Sequence, residues 1–300
     1  MNTRKSSLIT ACLLFVGGSR AFAQDLLHGA NIEAVGGASI AHVADNATIA
    51  TNPAMLAMAP RYDFAGSLFG QPSGDLGWNL NAMDSSKGIL GFGAGWTRTI
   101  TDPPLSDADL PGWVTPGVDP TNKRRASLFS VAMAIAPGDR KFSVGIGGTM
   151  GTVSHDRLGS KLMGEMSFGL GYRATDEATF GLVAQGLLPV DNVEAQPVQV
   201  LLGTRYALED GPSIAFETGW QFEDANGLGF ISRVGVEAVA GIIRPRLGYS
   251  YEGAERKSTV TAGIGGENPS GGLDAAVLVP LGKGFSGRDI RGVITLRLRT

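Results

Sequence analysis

The chain has 300 residues, with 25 Lys and Arg against 28 Asp and Glu and a single cysteine. The slightly acidic balance, with no basic stripe, excludes the electrostatic footprint of a nucleic-acid binder. One cysteine excludes an internal disulfide and a multi-thiolate metal site. Charged residues are 18% of the chain, against about 25% in ordinary soluble domains, and glycine, with 44 residues, is about twice its usual share.

Residues 1–23 read as a secretory signal peptide. Arg4 and Lys5 precede the apolar run Leu8 to Val16, and Ala21-Phe22-Ala23 is a small-x-small cleavage site. Cys12 lies inside the apolar run rather than after it, which argues against lipid attachment. Removal of this segment leaves 22 basic against 28 acidic residues, a net charge of −6, and no cysteine.

Residues 24–60 are rich in small side chains and too short to form a core of their own. Gly36, Gly37 and the stretch Asp45-Asn46-Ala47-Thr48 carry loop and tight-turn chemistry. Asn52-Pro53-Ala54 opens a short helix that runs to Ala59, with Asn52 as cap and Pro53 at the first helical position. The segment is expected to pack against something else, either as a plug inside a barrel or as a cover over its end.

From residue 61 to residue 300, period-two alternation dominates. Met166, Phe168, Leu170 and Tyr172 alternate with Ser167, Gly169, Gly171 and Arg173; Ile214, Phe216, Thr218, Trp220 and Phe222 alternate with Ala215, Glu217, Gly219 and Gln221. No run beyond the signal peptide approaches the length of a membrane-spanning helix, whereas segments of about ten alternating residues suit tilted membrane strands. Fourteen such segments are expected, centred near Leu68, Leu80, Ala94, Val131, Ile146, Phe168, Val183, Leu202, Glu217, Val236, Gly248, Thr261, Val277 and Leu296. Counts of twelve and sixteen stay open, because segment boundaries are the least determined feature. Alternate connections are short turns, such as Pro137-Gly138-Asp139-Arg140 and Asn268-Pro269-Ser270-Gly271; the others are mostly longer, Thr99 to Lys123 above all. The fold class expected is therefore all-β: a transmembrane antiparallel barrel of about fourteen strands, with an N-terminal plug containing a short helix.

Three groups of residues in the barrel stand out. Arg205, Glu217, Arg233, Glu237, Arg244, Arg246, Glu252, Asp274 and Arg297 share the polar face of the later strands and are expected to pair inside the lumen, as a gate or as a structural network. Leu105, Leu110, Trp113, Val114 and Val118 fall in the long loop and suggest a hydrophobic mouth. Gly91, Gly93 and Gly95 share one face of the third strand, where they either kink it or leave room for a plug. No catalytic group is expected: His28, His42 and His155 are scattered, no HExxH spacing exists, and Gly169-x-Gly171-x-x-Ala174 sits within an alternating strand rather than at a strand-to-helix turn. His155-Asp156 is read as an outer loop without a surrounding nucleophile motif, and neither a metal nor a cofactor is expected.

Gly36-Gly37-Ala38, Val43-Ala44-Asp45-Asn46-Ala47-Thr48 and Asn52-Pro53-Ala54-Met55-Leu56 together resemble the N-terminal hatch of FadL-type outer-membrane proteins. That superfamily includes transporters of long-chain fatty acids and aromatic hydrocarbons, and the chain also resembles PorV-like barrels attached to secretion systems. The resemblance implies a fourteen-stranded barrel in the bacterial outer membrane, with its N-terminus folded inside, lipids around it and barrel assembly machinery as a partner. It also implies passage of fatty acids or other hydrophobic small molecules, by a lateral exit at a kinked strand. The compact loops and the ending Leu298-Arg299-Thr300, where such barrels commonly end in an aromatic residue, depart from the pattern. A second function therefore stays open: a non-transporting envelope barrel serving as an assembly, secretion or structural partner.

Overall fold

A computed structural model describes residues 28–300 except 44, 73, 102–123, 156–158, 190–196, 210, 224–226, 254–255, 283–286 and 300. The alternating segments form fourteen strands: β1 (Tyr62–Gly70), β2 (Leu76–Asp84), β3 (Leu90–Thr101), β4 (Arg124–Ile135), β5 (Phe142–His155), β6 (Gly159–Arg173), β7 (Ala178–Leu187), β8 (Val198–Ala207), β9 (Ser213–Glu223), β10 (Gly227–Glu237), β11 (Ile243–Glu252), β12 (Lys257–Asn268), β13 (Gly271–Leu281) and β14 (Arg291–Arg299). Each strand pairs antiparallel with its neighbours in sequence, and β1 pairs with β14 from Asp63↔Arg299 to Gly70↔Gly292, which closes the barrel. Closure leaves no edge with unpaired backbone groups, the condition for standing in a solvent that offers no hydrogen bonds. Every strand centre expected from the alternation falls inside a strand, although Val236 lies one residue from the end of β10.

Both chain ends of the barrel, Tyr62 and Arg299, share one rim with the short turns 85–89, 136–141, 174–177, 208–212, 238–242 and 269–270. Connections at the opposite rim are uneven, and the expectation that most are long is corrected. Residues 102–123, 188–197 and 282–290 make long connections, whereas 71–75, 156–158, 224–226 and 253–256 are as short as turns. The reason at β5 and β6 is strand length: at 14 and 15 residues they carry the hairpin onward instead of releasing a loop. His155, expected in a loop, is accordingly the last residue of β5, and β3 continues through Thr99 to Thr101.

The two faces of the wall follow from the period of two. Leu68, Phe92, Phe129, Ile146, Phe168, Phe216, Leu247 and Leu296 are among the large apolar side chains exposed on the outside. Tyr62, Phe142, Tyr172, Phe180 and Tyr206 stand near the turn rim, and Trp220, Phe222, Phe230 and Tyr249 toward the loop rim, all exposed. Tyr172 stacks on Phe180 and Trp220 meets Phe230 edge-on, each with ring centroids 6.5 Å apart. An apolar band between aromatic girdles is the surface that lipid selects. The inward face instead carries Asn79, Thr97, Ser130, Thr149, Gln199, Glu217, Arg233, Thr261, Asp274 and Arg297, all buried.

Residues 28–60, apart from 44, are mostly buried and touch inward-facing residues of the strands. They contain one helical turn, Ala30–Glu33, and two 3-10 turns, Asn46–Ile49 and Pro53–Ala57. Two readings of the sequence are corrected here. Asn46 to Thr48, read as a loop, are helical because the Asp45 side chain accepts a hydrogen bond from Ala47 N–H at 2.9 Å. The helix expected from Pro53 to Ala59 is a 3-10 turn ending at Ala57, because five residues close i→i+3 bonds, such as Met55 N–H to Asn52 O, more readily than a second α turn.

Candidate functional site: the barrel interior

The residues singled out near the N-terminus make specific contacts with the inner wall. Gly36 and Gly37 take φ values of +73° and +77°, and a Cβ on Gly36 would lie 2.7 Å from the Tyr249 carbonyl oxygen. Glycine is required there for both the left-handed backbone and the close approach. Gly36 N–H donates to Thr261 Oγ1 at 3.0 Å, and that hydroxyl donates to Ala34 O at 3.0 Å. Asp45 accepts from Asn31 Nδ2 at 2.6 Å, and Asn46 Nδ2 donates to Asp63 of β1 at 2.7 Å. Asn52 caps the turn by accepting from Ala54 N–H at 3.2 Å, and its Nδ2 donates to Ile40 O at 2.8 Å and to Leu170 O of β6 at 3.2 Å. Gln185 Nε2 of β7 donates to Thr51 O at 2.5 Å, and Arg173 Nη2 of β6 donates to Met58 O at 2.7 Å.

The inward charges meet in two groups. In the first, Arg233 Nη1 lies 2.5 Å from Glu217 Oε1 and Arg233 Nη2 lies 3.2 Å from Glu252. Glu217 is fully buried, and its second oxygen accepts the backbone N–H groups of Ser39 and Ile40 at 3.0 and 3.2 Å. In the second, nearer the turn rim, Asp274 accepts from Arg246 at 2.6 Å and from Arg297 Nε at 2.9 Å, while Arg246 Nε also reaches Glu237 at 2.5 Å. Arg244 pairs with Glu267 at 3.1 Å. Arg299 reaches Asp63 at 3.2 Å and also binds Glu267. Arg205 departs from the expected pairing: its bond is to Ser213 Oγ at 3.4 Å, its Nε has no partner, and it forms no ion pair among the described residues. Glu267, Asp63 and Arg299 were missed by the sequence reading; the alternation marks them as inward, but their place at strand ends hides that they meet.

His42 lies among Arg205, Asp45, Arg246 and Arg297, with its Nε2 shut off from solvent and unpartnered. Burial and the Arg205 charge hold its imidazole down to about 3, against the opposing pull of Asp45. Burial works to raise the Asp45 carboxyl, but Arg297 and the Ala47 N–H outweigh it and hold the group below its ordinary range. His28 faces Glu33 at 3.5 Å. Among the described residues no group of three His, Cys, Asp or Glu side chains is placed to hold a metal.

Of the two alternatives for the third-strand glycines, the contacts favour room for the N-terminal segment over a kink. Register from β2 to β3 and from β3 to β4 runs unbroken through Gly91, Gly93 and Gly95, so the strand has no register break there. A Cβ on Gly91 would lie 2.9 Å from the Leu56 carbonyl carbon and one on Gly93 2.6 Å from Ile49 Cγ1, while Gly95 is covered by the Asn81 side chain. Gly91 and Gly93 thus make room for residues 49–57. Gly145 does the same for Pro53 and Ala54, while Gly181, Gly235 and Gly248 make room for Ile40, Val35 and Gly36. A register shift occurs instead between β6 and β7, at Met166 and Phe168, beside Gly186 at φ +69°. Leu105, Leu110, Trp113, Val114 and Val118 lie outside the described residues.

Toward the loop rim the inner wall carries two apolar patches. Leu128 and Met163 both flank Gly151 of β5, and Val183, Leu201 and Ile231 stand level across β7, β8 and β10. All five are buried inward-facing side chains, and Ile40 packs with the latter three. The interior therefore has an ionic group near the turn rim and, toward the loops, apolar patches that stand beside buried polar side chains such as Asn79, Thr97, Gln199 and Gln221.

This architecture has relatives among solved structures. The toluene transporter TbuX of Ralstonia pickettii superposes with a TM-score of 0.67 over 91% of this chain and 98% of its own, at 16% identity. The monoaromatic hydrocarbon channel CymD gives 0.64 over 90% and 96%, at 12% identity. The toluene transporter TodX of Pseudomonas putida gives 0.62 over 91% and 97%, at 14% identity. The chain has the fold of these barrels. No protein-family model and no curated protein sequence matches it.

Proposed function

We propose that this protein is a bacterial outer-membrane barrel through which hydrophobic small molecules pass, with residues 1–23 as signal peptide, 24–60 as plug and 61–300 as barrel. The observation that carries the reading is the apolar inner wall at Leu128, Met163, Val183, Leu201 and Ile231, toward the loop rim of a lumen that also carries many buried polar and charged side chains. Water and ions need no such wall, whereas an apolar solute held away from water does. The fold shared with two toluene transporters and a monoaromatic hydrocarbon channel supports cargo of that kind, as does the resemblance of the Gly36 to Leu56 segment to the FadL-type hatch. Fatty acids are the other cargo class that resemblance suggests. Outer-membrane lipids on the apolar band and the barrel assembly machinery are the partners this reading requires. Transport rather than catalysis is the activity.

Reconstitution tests it. Vesicles carrying the barrel should take up toluene faster than empty vesicles, and deletion of residues 28–60 should change the rate. Equal uptake with and without the barrel overturns the reading. The ionic groups that hold residues 36–46 favour a second reading, a closed envelope barrel that carries nothing and serves as an assembly, secretion or structural partner; equal uptake is the outcome it expects.

A further inference from the structure

Asn79, Thr97 and Thr99 face the lumen from β2 and β3, where Asn79 pairs with Thr97 across the sheet and Gly77 pairs with Thr99. All three are buried, Asn79 at 0% exposure. Neither the oxygen nor the nitrogen of the Asn79 amide has a hydrogen-bond partner, and neither threonine hydroxyl has one. Buried polar groups in proteins are nearly always paired, and four unpaired atoms on adjacent inward positions are a cluster that asks for an occupant. The fold does not need them there for the 28–60 segment, whose bonds go to other residues: Ala30 N–H to Thr295, Asn46 to Asp63, Asn52 to β6.

The surroundings set the chemistry. The Phe69 ring lies over Gly77, leaving no room for a side chain at that position. On the other side, Ala126 and Leu128 of β4 pair with Thr99 and Thr97 and are buried. The cluster thus offers an amide that donates and accepts, two hydroxyls that do both, no formal charge, and an apolar wall on each flank. We propose that it is a subsite for a neutral apolar molecule bearing a hydroxyl, with the hydroxyl held by Asn79, Thr97 and Thr99 and the apolar body against Phe69 and Leu128. A pure hydrocarbon would leave the four atoms unpaired, and a carboxylate would find no cation among the three groups. The proposal rests on the reading that small molecules enter the lumen.

Three probes with one ring separate the possibilities: toluene, p-cresol and p-toluate, titrated into the full-length purified barrel. p-Cresol should displace toluene from the wild type. One well-made neutral hydrogen bond should raise the ratio of p-cresol to toluene affinity roughly fivefold over that of Asn79→Leu. Thr97→Val/Thr99→Val should lower the ratio in the same direction, and heat-modifiable gel migration identifies which variants have assembled. The subsite is overturned if p-cresol fails to displace toluene from the wild type, if p-toluate binds more tightly than p-cresol, or if every assembled variant keeps the wild-type ratio, as it would if water alone filled the cluster. Vesicle uptake keeps the two readings apart. Toluene uptake with no p-cresol preference removes the subsite and leaves passage standing; no uptake of either removes passage itself.

Discussion

Glu217 is the residue on which the inner segment and the wall meet most directly. One oxygen takes Arg233 and the other takes the Ser39 and Ile40 N–H groups, all out of water. Removing one partner from a buried pair costs about 3–5 kcal/mol, much of it from the charge left behind; Glu252 remains to Arg233 and softens that loss. Glu217→Gln should therefore release residues 35–42 while the strands hold, read as faster amide exchange in that stretch alone. Exchange equal to wild type would show that Glu217 is not the tie. His42 makes a separate statement about pH. Its folded value of about 3 lies below the unfolded 6.5, so an unfolded or released segment binds the extra proton. The contribution is complete above pH 6.5 and is lost as pH falls from there toward 3. Acidification over that window should lower the protection of amides in residues 38–46, measured against intrinsic exchange at each pH, and His42→Asn should flatten the dependence. A pH profile identical in both would remove His42 from the account.

Elements add constraints that no single residue carries. The Pro53–Ala57 turn is held at its start by Asn52, and loss of such a cap costs about 1 kcal/mol. Asn52→Ala also forfeits the two Nδ2 bonds to Ile40 and Leu170, so the turn should open before the barrel does. Local exchange at residues 52–58 against strand exchange checks this; equal change in both would assign Asn52 to the barrel as a whole. The third strand makes the complementary test. Because a Cβ on Gly93 would sit 2.6 Å from Ile49 Cγ1, Gly93→Val should displace the Asn46–Ile49 turn and slow assembly. Normal assembly with an undisturbed turn would contradict the packing argument. The periodicity made both features visible: glycines on one face of a strand, and a capped Asn-Pro pair. It did not reveal that they touch, because the contact joins residues some forty positions apart.

For the whole molecule, closure dominates. Fourteen strands satisfy one another's backbone groups only as a ring, so no intermediate with a free edge is stable in lipid. The protein should migrate faster on an unheated gel than after boiling and should leave membranes only with detergent. Recovery in a soluble fraction would contradict the apolar outer band, which exposes Leu68, Phe129, Phe216 and Leu296 among many others.

The sequence by itself determined where the strands lie and which side chains face inward, because a period of two is a local property that each segment carries alone, whereas the count of fourteen was fixed by closure. It also marked Asn52, Pro53, Gly36 and Gly37, whose roles depend on their own backbone. Only the tertiary structure decided the rest. Arg233 finds Glu217 and Glu252, whereas Arg205, also inward, finds Ser213 and no ion pair among the described residues. Which inward charges meet depends on the register between strands and on where residues 28–60 touch the wall. The same holds for Asn79, Thr97 and Thr99. Their inward orientation is legible in the alternation, but their lack of partners is a property of the closed barrel, which decides what each inward group can reach.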